Sequence, residues 1–243
     1  MKDVTSTFNE RVEEIEQYLE LVGAVERGVQ MGAPLIGTKD KRITVTQQRI
    51  LYSSSYLHLY NLVEATISLC IAAIEKAASL SGRLSASNLS EKMRREWTRT
   101  LARTHVQLNP EKRLDSAVEL CDHIVGMLPV NLSIDKEGGG NWDDEKIFEF
   151  TKRLGVDLNI SDAGNRAAKK LIRDNMGALK LIKSLRNKLA HGEISFGECG
   201  DGLTESELTN LKDDTVCYLR EIIDSFSDYI DQEKYLSKAV VGE

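Results

Sequence analysis

Apolar residues recur at spacings of three and four along most of this chain, the period of helices that bury one face. Val12, Ile15, Leu19 and Val22 predict a first helix over about Thr5 to Leu21. Gly23 to Lys41, broken by Gly28, Gly32, Pro34 and Gly37, reads as a loop. Thr44 with Gln47 three residues on is a capping-box pattern, and it opens the longest helix, running to about Ser79. A basic helix with Lys92, Arg94, Arg95, Arg99 and Arg103 follows over Ser90 to His105. After Pro110, the pattern Leu114, Val118, Cys121, Ile124 and Val125 marks another helix, ending before Pro129. Val130 to Ile134 is a weak strand candidate, and Gly138-Gly139-Gly140, lacking the Lys-Ser/Thr of a phosphate-binding loop, reads as a flexible connector. Asp143 to Leu154 and Ala163 to Asp174 are short helices. From Met176, Leu179, Ile182, Leu185 and Leu189 line one helical face, and Gly192 stands where a left-handed residue would stop it. Thr204 with Glu207 is a second capping box, opening a last helix with Leu208, Leu211, Val216, Leu219, Ile222, Ile223 and Phe226. The prediction is an all-α helical bundle in one domain over 1–243, with core helices at about 5–80 and 163–236 and a helical elaboration at about 82–160.

Composition narrows the function classes. A chain of 243 residues with 41% hydrophobic content can bury a substantial core, and a net charge of −6 argues against a general nucleic-acid coat. The charge is uneven: Arg166, Lys169, Lys170, Arg173, Lys180, Lys183 and Arg186 precede His191, whereas Glu205, Glu207, Asp213, Asp214 and Asp224 follow it. That basic strip either steers a polyanion or is the solvated face of helices. Cys70, Cys121, Cys199 and Cys217 show no C-x-x-C pairing and read as reduced, mostly buried thiols of a cytoplasmic protein. No apolar run approaches the roughly 20 residues of a membrane helix, and the N-terminus has no signal-like segment, so no membrane association is expected. Nothing at metal-ligand spacing completes Cys121-Asp122-His123, so neither metal nor cofactor is expected. His58 reads as a core or rim histidine, and His105 as a helix-terminal cation.

Two stretches carry candidate chemistry. Leu185-Arg186-Asn187-Lys188-Leu189-Ala190-His191-Gly192 joins a fixed cation, an amide and an imidazole at one helix end. On a regular helix Arg186 and His191 lie roughly 140° apart, so one undistorted helix cannot bring both to one phosphate. A working site needs either a frayed helix end or two such helices brought together by a dimer. The second stretch is Tyr60 to Ile74, where Glu64 is the single charge and needs a partner. Without more, Arg186 serves equally as a salt bridge to the Glu64 helix and His191 as a residue suited to a helix C-terminus.

The run Arg186-Asn187-Lys188-Leu189-Ala190-His191-Gly192, closing a late helix of an all-helical chain, resembles the Arg-polar-x-x-x-His signature of the HEPN superfamily. The helix around Asn61 and Glu64, and Gly140-Asn141 before a short helix, are similar to uncharacterised prokaryotic branches of it, so the resemblance spans roughly 40–235. It implies a HEPN-type bundle and a metal-independent endoribonuclease, acting as a toxin or antiphage-defence effector, with Arg186 and His191 of two protomers facing one another in a composite homodimer site. Asn187, Glu64 and Asn61 would support them, Lys180, Lys183 and Lys188 would contact RNA, and an antitoxin or regulatory protein would hold the activity in check. The chemistry is consistent with the residue types. RNA carries its own nucleophile, the 2′-hydroxyl; an imidazole exchanges protons near neutrality; and a guanidinium binds two phosphate oxygens of a pentacoordinate transition state. The alternative is a non-catalytic HEPN module, an RNA- or nucleotide-binding subunit or scaffold of a larger complex, for which the acidic net charge and a basic strip without interleaved aromatics speak.

Overall fold

The computed structural model describes residues 1–30, 32, 34–36, 41–80, 84–102, 107–136 and 140–238. Gly37, Arg103, His105, Gly138 and Gly139 lie outside them.

The core is a bundle of four helices: α1 (Lys2–Gln30), α2 (Val45–Leu80), α7 (Ala178–Ala190) and α9 (Glu205–Asp231). α2 is its axis, touching the other three, and its Leu59, Leu62, Ile67, Cys70, Ile71 and Ile74 are sealed from solvent. By length and composition alone α2 could cross a membrane, contrary to the expectation from apolar runs, because its polar positions are mostly uncharged. Half of that stretch is buried against its neighbours. Its start is the expected capping box, Thr44 N–H to Gln47 Oε1 at 2.9 Å and Gln47 N–H to Thr44 Oγ1 at 3.2 Å. The box at Thr204 and Glu207 opens α9 likewise.

α1 continues well past Gly23, where a loop was expected. Gly23 and Gly28 serve close approach: a Cβ at 23 would meet Glu205 Cγ at 3.2 Å, and one at 28 would meet Pro34 Cβ at 2.8 Å. Buried Val22 and Val25 offset the roughly 1 kcal/mol that each mid-helix glycine costs. The added turns bring Glu26 to Tyr52, whose hydroxyl donates to it at 2.7 Å, and to the first N–H of α9, Glu205 N, at 2.7 Å. Between α1 and α2, β1 (Leu35–Ile36) and β2 (Lys41–Arg42) pair antiparallel as a minimal hairpin.

The 82–160 segment supplies a 3₁₀ turn at Ala86–Asn88 and the helices α3 (Glu91–Leu101), α4 (Pro110–Val125) and α5 (Asp144–Leu154). It is tied to the bundle at several points. Ser90 N–H donates to Tyr235 O and Ser237 N–H to Asn88 O, while Tyr229 hydroxyl reaches Leu154 O at 3.1 Å. Within it, the buried Glu96 of α3 meets Arg153 of α5 at 3.1 Å. Val130 to Ile134 is extended, with Val130, Leu132 and Ile134 buried, but it forms no strand: Val130 N–H goes to Leu84 O and Ile134 N–H to the Glu75 carboxylate. α6 (Asp162–Lys169) stops short of the expected Asp174. Asp174 and Asn175 take left-handed φ values of 53° and 56°, and the reversal they make pairs Arg173 with Met176 before α7 begins. The four-residue α8 (Phe196–Cys199), unmarked in the apolar pattern, packs on α2. All four cysteines are free thiols: Cys70 and Cys199 are buried, Cys217 is half-buried and Cys121 is exposed.

Candidate functional site

α7 is placed by its apolar stripe. Leu179, Ile182, Leu185 and Leu189 are all buried, so Arg186 and Asn187 emerge at the rim of the bundle and His191 at the helix end. That end is orderly. His191 is the C-cap with φ −91° and ψ −1°, Gly192 is left-handed at φ 70°, and Gly192 N–H and Glu193 N–H bond to Leu189 O at 3.3 Å and Lys188 O at 2.9 Å. This doubly bonded glycine stop leaves α7 unfrayed, which closes one of the two routes to a joint Arg186–His191 site.

Arg186 is held on three sides. Its guanidinium carbon lies 4.1 Å from the centre of the Tyr60 ring, Nη2 is 3.6 Å from Glu64 Oε2, and Nη1 donates to Asn187 Oδ1 at 2.7 Å. Tyr60 and Glu64 are one turn apart on α2 and present face and charge together. The cation–π contact contributes about 0.5–2 kcal/mol and the half-exposed ion pair at most about 1 kcal/mol, so the gain is in orientation more than stability. Glu64 has the partner its apolar surroundings called for, and Arg186 keeps 31% of its side chain accessible.

The loop before α5 completes the cradle. Asn187 Nδ2 donates to Asn141 Oδ1 at 3.0 Å, and Asn141 N–H donates to Tyr60 hydroxyl at 2.6 Å. Gly140, at φ 106°, lies so close that a Cβ would stand 3.1 Å from Glu64 Oε1 and 3.3 Å from Tyr60 hydroxyl. Only glycine satisfies both the backbone angle and that space. The loop is pinned beyond it: Lys146 Nζ donates to Gly140 O at 2.6 Å, and Asp143 caps α5 through Lys146 N–H at 2.9 Å while pairing with Lys183. Burial pushes the Tyr60 phenol above its usual range, with the Glu64 charge adding to the shift and the Asn141 N–H and Arg186 opposing it.

The expected site residues therefore divide. Arg186, Asn187 and Glu64 are brought together. His191 is exposed, and among the described residues its imidazole meets no hydrogen-bond or ion-pair partner. Asn61 is exposed on α2 and makes no side-chain hydrogen bond among the described residues. Lys183 is committed to Asp143, Lys180 lies 3.8 Å from Glu145 at the surface, and Lys188 is half-buried beside His191. His58 is a rim histidine, exposed, with its ring 4.5 Å from that of Tyr18. Sequence reasoning overlooked Tyr60 as the platform beneath Arg186, although its position one turn before Glu64 was a usable signal.

An all-α bundle whose penultimate long helix ends in Arg-Asn-x-x-x-His-Gly is the arrangement that the resemblance to HEPN domains implied. Residues 1–235 match the model of the HEPN_MAE_28990-like HEPN family, and the chain belongs to that family. The match runs through 82–160, so the segment that builds the Asn141 loop lies within the family's own span. No curated protein and no solved structure matches the chain. Many HEPN proteins are ribonucleases.

Proposed function

We propose that this chain is a metal-independent endoribonuclease, a toxin or antiphage-defence effector of the cytoplasm, whose active centre is completed by a second copy. The observation that carries the reading is the Arg186 guanidinium, oriented by Tyr60, Glu64 and the Asn187–Asn141 bridge, yet still accessible on the helix that ends in exposed His191. Such a guanidinium suits the extra negative charge of a pentacoordinate phosphorane. The ribose 2′-oxygen attacks phosphorus while the bond to the 5′-oxygen breaks; a base takes the hydroxyl proton, an acid protonates the leaving oxygen, and the His191 imidazole can serve at either step. The products are a 2′,3′-cyclic phosphate and a 5′-hydroxyl. Since α7 is regular to its end, a dimer that sets the His191 of one copy against the Arg186 of the other is the remaining way to combine them.

The test is cleavage of total cellular RNA in chelator by the wild type, Arg186→Ala and His191→Ala, with product ends mapped. Cyclic-phosphate ends from the wild type alone support the reading; equal cleavage of DNA, or loss of activity in chelator, rejects it. One observation favours a second reading, a non-catalytic RNA-binding or scaffold subunit: two of the three lysines expected to contact RNA, Lys183 and Lys180, are already matched by Asp143 and Glu145. That reading expects Arg186→Ala to weaken RNA binding with no cleavage by any form.

A further inference from the structure

α4 is exposed on its apolar side. Of the thirteen large apolar side chains that stand exposed among the described residues, six lie within 114–128: Leu114, Val118, Ile124, Val125, Met127 and Leu128. Val125 is the extreme at 84% exposure. The helix meets the rest of the protein through the other side, where Ser116 is buried, Leu120 is partly buried and the His123 ring packs edge-on to Trp97 at 5.6 Å. The two faces are roughly 160° apart on a regular helix, so the exposed face is not a margin of the core. Scattered surface apolar residues need no account, but a contiguous cluster of this kind marks an interaction surface.

The spacing says what shape of partner it fits. Leu114, Val118, Cys121 and Val125 follow one another at four, three and four residues, the alternating a and d positions of a helix-pairing seam. Ala117 and Ile124 widen one edge without charge, whereas Asp115 and Asp122 stand along the other, both exposed, with Glu111 at the helix start. The charges decide against self-pairing. Two copies packed antiparallel would set Asp115 and Asp122 of one against Asp122 and Asp115 of the other, and packed parallel would leave both facing uncharged Ala117 and Ile124. Like charges brought together across an interface are a penalty, and unmatched ones supply no specificity.

We propose that the exposed face of α4 is a docking site for an amphipathic helix of another protein, with aliphatic residues on its seam and Lys or Arg along the edge that meets Asp115 and Asp122. α4 carries none of the residues gathered around Arg186, so the site stands or falls apart from any nuclease activity. Cys121, an exposed thiol within the seam, provides the readout in a Cys217→Ser background, since Cys70 and Cys199 are buried and Cys217 is half-buried.

The experiment uses the full chain and two synthetic helical peptides with leucine at every a and d position, one flanked by lysine and its twin by glutamate. Binding is followed by fluorescence anisotropy and by protection of Cys121 from a maleimide. The lysine peptide should bind at least about tenfold more tightly than its twin and shield Cys121. Asp115→Lys with Asp122→Lys should invert the preference, and Val118→Glu, at an exposed position that leaves the fold intact by circular dichroism, should abolish binding of both. Equal affinity for the two peptides, no inversion, or binding indifferent to Val118→Glu overturns the proposal. So does self-association of the wild type in sedimentation that Val118→Glu removes, because the face would then belong to a second copy.

Discussion

The two ends of the six-residue run at the close of α7 are built on different plans. Arg186 is surrounded by parts of its own chain drawn from far apart in sequence: Tyr60 and Glu64 from α2, and Asn141 from the loop before α5. His191 is placed by backbone alone, capping a helix whose last turn is closed by Gly192, with its imidazole in solvent. One half is held in place by contacts within the chain, and the other is left exposed at the helix end. On the proposed nuclease reading, an orienting network around the cation costs nothing at the moment of reaction, whereas a proton-transfer group needs only reach and the right neighbour.

The largest effects fall on the two chemical groups. Arg186→Ala and His191→Ala should each lower RNA cleavage about 10²- to 10⁴-fold, while the unfolding transition moves by less than about 1 kcal/mol in His191→Ala and by at most about 3 kcal/mol in Arg186→Ala, which loses the Tyr60 and Glu64 contacts. Mixing the two inactive variants separates the plans. If each site takes Arg186 from one copy and His191 from the other, random pairing restores about one quarter of the wild-type activity, because half of the dimers are mixed and each has one intact site. No recovery in an exchanging mixture would mean that both groups act within one protomer.

Next come the two left-handed glycines. Gly140 is crowded by Glu64 and Tyr60, while Gly192, at φ 70°, has nothing within 4 Å of where a Cβ would stand. Gly140→Asn should cost about 1–3 kcal/mol in urea unfolding and most of the cleavage activity, since the side chain displaces Glu64 or Tyr60 from Arg186. Gly192→Asn should cost well under about 1 kcal/mol, because Asn tolerates the left-handed region at a helix stop. Equal losses at the two positions would mean that the crowding around Arg186 is of no consequence.

This contrast also explains what could be read from the sequence. The α7 stripe, its glycine stop and the capping boxes at Thr44 and Thr204 are local patterns, and each element stands where its pattern put it. Gly23 and Gly28 misled because a glycine that breaks a helix and one that admits a neighbour look alike until the neighbour, Glu205 or Pro34, is known. The end of α6 at Lys169 was hidden for a similar reason: Asp174-Asn175 is a turn signal, but the apolar spacing continued through it. At the site, Glu64 was legible as a lone carboxylate in an apolar stretch, and Arg186 as the fixed cation of the run that closes α7. Asn141 reaching Tyr60 across 81 residues was not, because a contact between two polar groups far apart in sequence leaves no periodic trace.

Smaller effects test the platform itself. Tyr60→Phe keeps the ring under Arg186 but removes the acceptor for Asn141 N–H, so it should cost about 0.5–1.5 kcal/mol and lower cleavage by less than about tenfold. It should also alter the alkaline limb of stability. The folded chain holds the Tyr60 proton more tightly than the unfolded one, so the associated stability is fully present below about pH 10 and is lost as pH rises through the folded value. Urea midpoints across that range should therefore fall less steeply in Tyr60→Phe than in the wild type, and identical slopes would count against a buried phenol at this position.

The smallest effect expected is at Glu64. Its carboxylate is 3.6 Å from Arg186 and 37% exposed, so water and salt screen the pair. Glu64→Gln preserves shape and removes charge, and its cost in stability should be at most about 1 kcal/mol, shrinking further as salt is raised. Its effect on cleavage should be larger than that figure suggests if Glu64 aims the guanidinium: a several-fold loss in kcat, with KM little changed, since aim matters most once charge has built up on the phosphate. A rise in KM at constant kcat would instead make the Glu64–Arg186 pair part of ordinary substrate binding, and the preorganised half of the motif would then differ from the His191 half in stability alone.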